Sequence, residues 1–296
     1  MTPRLLVVAA LAGLLTACSA GSAAPDPARA PAAPTTSATA EAPTGPRLDY
    51  VAIGDSFTAA PGLPGSSLPC LRSEENYPSL VADDLGSRFR VRLDDRSCVG
   101  ADTASVTSAQ ELGGGRIPPQ AGALDRRTDL VTLSLGGNDD GFFVRLLTGC
   151  LGLGASADDA PCEVAPLVES LTGVQDRLVA AVDDVRRRAP DAEVVVVGYP
   201  QIVPKRGTCE GLPDDPAARS VARQANQALV DTVAGAAAEA GVTYVDLARA
   251  SRGHELCSDD PWVNGAGSDP SGAIPFHPLP AGQRAVADLV VEAVRG

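Results

Sequence analysis

The chain has 296 residues, of which aromatics make up 3% and only two, His254 and His277, are histidines. So few aromatic rings argue against an extended cleft that stacks sugars. Clustered basic charge is missing too. The formal net charge is −13, and the one arginine run, Arg186, Arg187 and Arg188, falls on an expected helix face. Without cations to neutralise phosphates, a nucleic-acid partner is excluded. The same charge gives the domain no pull of its own toward an anionic membrane. The first expected strand is not followed by the G-x-G-x-x-G turn that approaches a pyrophosphate, which excludes a dinucleotide oxidoreductase. The cysteines lack the close C-x2-C spacing of a zinc ribbon, so no metal is expected, and no organic cofactor. The apolar run 5–15 is too short to span a bilayer, and no internal repeat is visible.

Two stretches at the front are not domain. Arg4 followed by the run 5–15 reads as an export signal covering residues 1–17. Leu15-Thr16-Ala17-Cys18 resembles a bacterial lipobox, which implies cleavage before Cys18 and a lipid on its sulfur; the alternative is an ordinary cleaved signal with Cys18 incidental. Residues 18–46 are almost all Ala, Pro, Ser, Thr and Gly after the cysteine and cannot build a core. Stretched as polyproline II, this linker reaches roughly 90 Å, enough to lift a domain off a membrane. A passive export spacer is the other reading. The folded part is then 47–296.

Within it, apolar strands alternate with amphipathic helices. Strands are expected at 48–53, 88–93, 129–135, 192–197 and 242–247, and helices at 74–85, 102–111, 140–147, 164–188, 216–240 and 281–294. The second strand alternates arginine with apolar residues and suits a sheet edge. The pattern specifies an α/β three-layer sandwich around a central parallel sheet of about five strands, joined by right-handed crossovers. Six cysteines follow Cys18, and an even set in an exported chain suggests three disulfides, their pairing left open by the spacing.

Four short blocks sit at the ends of these elements: Gly54-Asp55-Ser56, Cys98-Val99-Gly100-Ala101, Gly136-Gly137-Asn138-Asp139 and Phe276-His277-Pro278. Each alone reads as a turn. Ser56 follows a buried strand, where open α/β sheets place their ligands, but a serine hydroxyl needs an adjacent base. His277 stands just before the last helix and can return to the same end of the sheet. Asn138 offers an uncharged donor. Asp55 and Asp139 are expected to hold their turns through side-chain-to-backbone bonds. His254, among Arg252, Gly253 and Glu255, is expected at the surface.

Taken in order and spacing, the four blocks resemble those of the SGNH (GDSL) hydrolases, with Phe57 where that family name has leucine. The resemblance covers the whole of 47–296 and implies a flavodoxin-like fold. It implies Ser56 as nucleophile and His277 as base, with the Ser56 and Gly100 backbone N–H groups and the Asn138 amide as the oxyanion hole. One position departs from the family pattern. Where an aspartate three residues ahead usually orients the histidine, this chain has Ile274. Likeness to secreted members implies that the Ile274 backbone carbonyl takes that part, giving a Ser–His dyad. The rival is that Asp259, Asp260 or Asp269 folds back to do so. Likeness to secreted actinobacterial SGNH esterases also implies the pairs Cys70–Cys98, Cys150–Cys162 and Cys209–Cys257.

The expected reaction is hydrolysis of a carboxylic, lipid-like ester by a monomer anchored to a membrane through Cys18. The loop 59–63 and the pair Phe142-Phe143 are candidates for an acyl pocket. Two other readings stay open: a cell-envelope carbohydrate O-deacetylase, and a non-catalytic binding lipoprotein on the same fold.

Overall fold

Strand β1 (Arg47–Gly54) is buried almost without a break from Tyr50 onward, as a central parallel strand must be. The structure is a computed structural model that describes residues 45–154, 162–209 and 212–295. The signal 1–17, Cys18 and the linker up to residue 44 lie outside the described residues. No described helix is long and apolar enough to cross a membrane.

After β1 come a single turn α1 (Ser56–Ala59) and helix α2 (Tyr77–Leu85), the latter capped by Asn76 with Pro78 in its first turn. Strand β2 (Arg90–Asp95) follows, then a small antiparallel hairpin of β3 (Gln110–Leu112) and β4 (Gly115–Ile117), then β5 (Leu130–Ser134). Helices α3 (Phe142–Arg145), α4 (Val164–Glu169) and α5 (Val174–Arg188) lead to β6 (Glu193–Val197). Helix α6 (Pro216–Ala240), strand β7 (Thr243–Val245), a short α7 (Leu247–Ala250) and α8 (Pro280–Arg295) complete the chain.

The main sheet has five strands in the order β2-β1-β5-β6-β7, each pair parallel. The chain therefore reverses direction across the sheet between β1 and β5, and the ends of those two strands open a crevice. Side chains alternate between the faces. Tyr50 and Ala52 of β1 pack with Val81 and Leu85 of α2 and Val286 and Val290 of α8. Val51 and Ile53 pack on the other face with Leu178 and Val182 of α5 and Leu229 and Val233 of α6. Each such aliphatic residue contributes about 1.5–3 kcal/mol on burial, so both helical layers are held by the same five strands. β2 lies at the sheet edge, its Arg90 and Arg92 exposed and its Val91 and Leu93 half-buried, as the alternation expects.

Three local expectations are corrected. Residues 102–111 do not form a helix. Only Thr103–Val106 makes a 3-10 turn, boxed by Asp102 and Ser105, and the chain then enters the β3–β4 hairpin over Gly113-Gly114. The helix expected over 164–188 is two, because Gly173 adopts φ 77 and begins α5 afresh. A residue with a Cβ resists that conformation. The helix expected at 140–147 is a 3-10 turn Asp139–Gly141, the short α3 and a π turn over Leu146–Cys150.

Three disulfides, Cys70–Cys98, Cys150–Cys162 and Cys209–Cys257, tie loops together, the first two beside the crevice between β1 and β5.

Candidate active site

Ser56 opens α1 directly after β1. Asp55 caps that turn, its Oδ1 accepting the Phe57 N–H at 2.8 Å, which holds Ser56 at the strand's carboxyl end. The amide of Gln120 grips the strand end from the side, taking the Gly54 N–H at 2.8 Å and donating to the Gly54 carbonyl at 3.0 Å. Among the described residues the Ser56 N–H has no backbone partner.

The loop after β5 brings Asn138 to the same place. Its Nδ2 donates to the Ala101 carbonyl at 2.9 Å, and the residue lines the cleft. Gly100 sits in the turn beside it at φ +73, a left-handed conformation that suits glycine, and its N–H also has no backbone partner among the described residues. Asp139 is buried. It accepts from the Thr103 N–H at 3.0 Å, the Thr103 hydroxyl at 2.5 Å and Arg177 Nε at 3.0 Å, so it fastens the Asn138 loop to the 3-10 turn and to α5.

His277 arrives from the loop before α8. Its Nδ1 lies 2.8 Å from the Pro275 carbonyl oxygen. The expected partner, the Ile274 carbonyl, is occupied elsewhere: it accepts the His277 backbone N–H at 3.2 Å, closing a turn. Phe276 within that turn takes φ 57, which leaves the Pro275 carbonyl to face the ring. The histidine-orienting group is therefore Pro275, one residue on from Ile274. Ile274 instead lends its side chain to the cleft wall. Burial lowers the His277 pKa, and the Pro275 bond opposes that shift in part. The neutral ring is thereby favoured, with Nε2 left as the basic nitrogen.

The rival aspartates have other work. Asp260 receives Nδ1 of His254 on its carbonyl at 2.8 Å, with His254 stacked on Trp262, and Asp269 caps Ser271 through its backbone N–H at 2.8 Å. Asp259 is exposed.

Ser56, Gly100, Asn138 and His277 line one cleft of about 330 Å³, and most of its remaining wall is apolar, with Phe57, Leu71, Phe143, Leu147 and Leu153 prominent. Of the expected pocket residues, Phe143 is in the wall while Phe142 is wholly buried in the core. The loop 59–63 is not in the wall. Ala60 and Leu63 pack instead with Ala273 beneath the histidine loop. Leu147, Thr148 and Leu153, which the sequence did not single out, enter through the π turn and the bend after it.

One further residue escaped the sequence reading. Tyr199, at the carboxyl end of β6, is fully buried, and its hydroxyl donates to Asp55 Oδ2 at 2.5 Å and accepts the Gly137 N–H at 3.1 Å. The Asp55 carboxyl is pushed up to about 7 by burial, against which the bonds from Tyr199 and Phe57 favour the ionised form.

The GDSL-like Lipase/Acylhydrolase family model matches residues 52–285, a span that contains all four blocks. The chain belongs to that family. As a member it is a carboxylic ester hydrolase, built on the parallel five-stranded sheet described above. It is 37% identical over 265 residues to a protein called Lipase 2 from Streptomyces coelicolor, covering 83% of this chain and 86% of the relative. It is 31% identical over 260 residues to an esterase from Streptomyces scabiei, covering 73% and 74%. Among solved structures, phospholipase A1 from Streptomyces albidoflavus superposes with a TM-score of 0.67 at 30% identity, over 83% of this chain and 99% of that one.

Proposed function

We propose that the chain hydrolyses acyl-lipid esters through an acyl-serine intermediate, using a Ser56–His277 dyad without a third carboxylate. The 2.8 Å bond from His277 Nδ1 to the Pro275 carbonyl is the observation that carries this reading. A carbonyl fixes the tautomer as an aspartate would, with less stabilisation of the imidazolium.

In the first step Ser56 Oγ adds to the ester carbonyl carbon while its proton passes to His277 Nε2. The carbonyl oxygen becomes an oxyanion, met by the Ser56 and Gly100 N–H groups and Asn138 Nδ2. Collapse of this intermediate breaks the ester C–O bond, and the alcohol leaves with the proton from Nε2. Water then adds to the acyl-serine carbon, giving a proton to Nε2. Release of the carboxylic acid returns that proton to Ser56 Oγ.

An apolar wall around Ser56 supports an acyl chain over a sugar, which would ask for more polar partners along the cleft. Relatives called lipase, esterase and phospholipase A1 are in keeping with that preference. The lipobox-like Leu15-Thr16-Ala17-Cys18 supports an exported chain held to the cell membrane by lipid on Cys18, and Cys18→Ser should then move it from the membrane fraction into the medium.

Turnover of p-nitrophenyl esters from acetate to palmitate, beside Ser56→Ala, tests the assignment. A Ser56-dependent rate that rises with chain length is expected. A rate confined to acetate would favour the O-deacetylase, and no Ser56-dependent rate in a folded sample would leave a binding lipoprotein.

A further inference from the structure

We propose that Tyr199 is a positioning residue that fixes the nucleophile turn and the oxyanion loop at one separation through its single hydroxyl. The inference rests on the esterase reading for its kinetic consequence, but the coupling itself is a matter of geometry.

The two halves of the site are on different strands. Ser56 follows β1 and Asn138 follows β5, and an oxyanion must sit between the Ser56 N–H and Asn138 Nδ2. Misplacing one donor by about 1 Å costs on the order of 100-fold in rate. A continuous chain of bonds joins the two turns: the Phe57 N–H to Asp55 Oδ1 at 2.8 Å, Tyr199 Oη to Asp55 Oδ2 at 2.5 Å, and the Gly137 N–H to Tyr199 Oη at 3.1 Å. Its first member is next to Ser56 and its last is next to Asn138. A carboxylate that accepts from the hydroxyl also makes the phenol oxygen a better acceptor for the glycine N–H.

The ring is held as firmly as its oxygen. It lies edge-on to Phe57 at 5.4 Å and to Phe143 at 5.3 Å, one ring from each side of the site. Phe143 is itself tied to the oxyanion loop, its N–H bonding the Gly137 carbonyl at 3.0 Å. Tyr199 and Asp55 are both buried, so water cannot replace a lost hydroxyl without opening the core.

Tyr199→Phe tests this, with Tyr50→Phe as control. Tyr50 is equally buried and loses a hydroxyl bonded to Thr132 at 2.9 Å, away from the crevice. On p-nitrophenyl butyrate, Tyr199→Phe should lower kcat by about 10-fold or more with KM within about 2-fold, while Tyr50→Phe leaves kcat within about 2-fold. In an Asn138→Ala background, Tyr199→Phe should cost less than about 3-fold, because its effect runs through a donor already gone. Equal factors in both backgrounds, or a matching kcat loss in Tyr50→Phe, would overturn the proposal. Amide hydrogen exchange at Gly137 reads the coupling without turnover. Exchange should be faster in Tyr199→Phe and unchanged in Tyr50→Phe, and an unaltered Gly137 rate in Tyr199→Phe refutes the coupling. Loss of the esterase reading would show separately, as wild-type turnover that survives Ser56→Ala.

Discussion

The His277 ring points its Nδ1 at the carbonyl of Pro275, two residues before it, at 2.8 Å, while the carbonyl of Ile274 accepts the histidine's own backbone N–H at 3.2 Å. The ring is thus held by a carbonyl of its own loop. The proposed Ser56–His277 dyad would therefore behave differently from a triad built on a buried carboxylate.

The first consequence is a pH profile displaced to the acid side. Burial lowers the His277 pKa, and in the proposed dyad the imidazole must be neutral to accept the serine proton. Activity is then retained above the depressed value and lost as pH falls through it. The acid limb of kcat/KM should lie below about 6.5, the ordinary histidine value. A limb above that value would contradict the burial argument.

The second consequence concerns the aspartates. Asp269 caps Ser271, Asp260 faces His254, and Asp259 is exposed. Single changes to asparagine at 259, 260 and 269 should each leave kcat within about 2-fold. A collapse of turnover in any one, with the fold intact by circular dichroism, would restore a carboxylate to the catalytic set.

Asn138 donates to the Ala101 carbonyl through one amide hydrogen, and in the proposed oxyanion hole the other meets the substrate oxygen. Asn138→Ala should therefore cost kcat about 100-fold or more with little change in KM, since the donor meets charge that develops only in the transition state. An unchanged kcat would remove Asn138 from the oxyanion hole.

Asp55 gives a stability signature. Its folded pKa is pushed up to about 7 by burial, above the unfolded value, so the folded state holds the proton more tightly between those two values. Stability from this group is fully present below the unfolded pKa and is lost as pH rises through about 7. Asp55→Asn, which cannot titrate, should flatten the fall of Tm between about pH 4 and pH 7. A slope identical to wild type would show that other groups set it.

Much of this site was legible before the fold was known. Ser56, Gly100, Asn138 and His277 each belong to a short block whose residue types suit their chemistry, and the resemblance tied the blocks together. Likeness to secreted members implies the Ile274 carbonyl, and the ring meets the Pro275 carbonyl instead, because likeness of sequence does not say which carbonyl of a turn faces the ring. Nothing in the sequence around Tyr199 marks it out. Its partners, Asp55 and Gly137, lie 144 and 62 residues away in the chain, and no local pattern encodes such a meeting.

The sequence by itself determined the alternation of strands and helices, the parallel sheet and the four blocks at the ends of those elements, because burial on both faces demands continuous apolar runs and a turn at each end demands small or polar residues. It could not determine where Gly173 would divide one helical pattern into two, or that 110–117 would pair as a hairpin, since local propensity there admits either outcome. Only the tertiary structure decided which groups share the crevice. That follows from strand order, β2-β1-β5-β6-β7, which sets β5 beside β1 and β6 beside β5, and so brings Ser56, Asn138 and Tyr199 together.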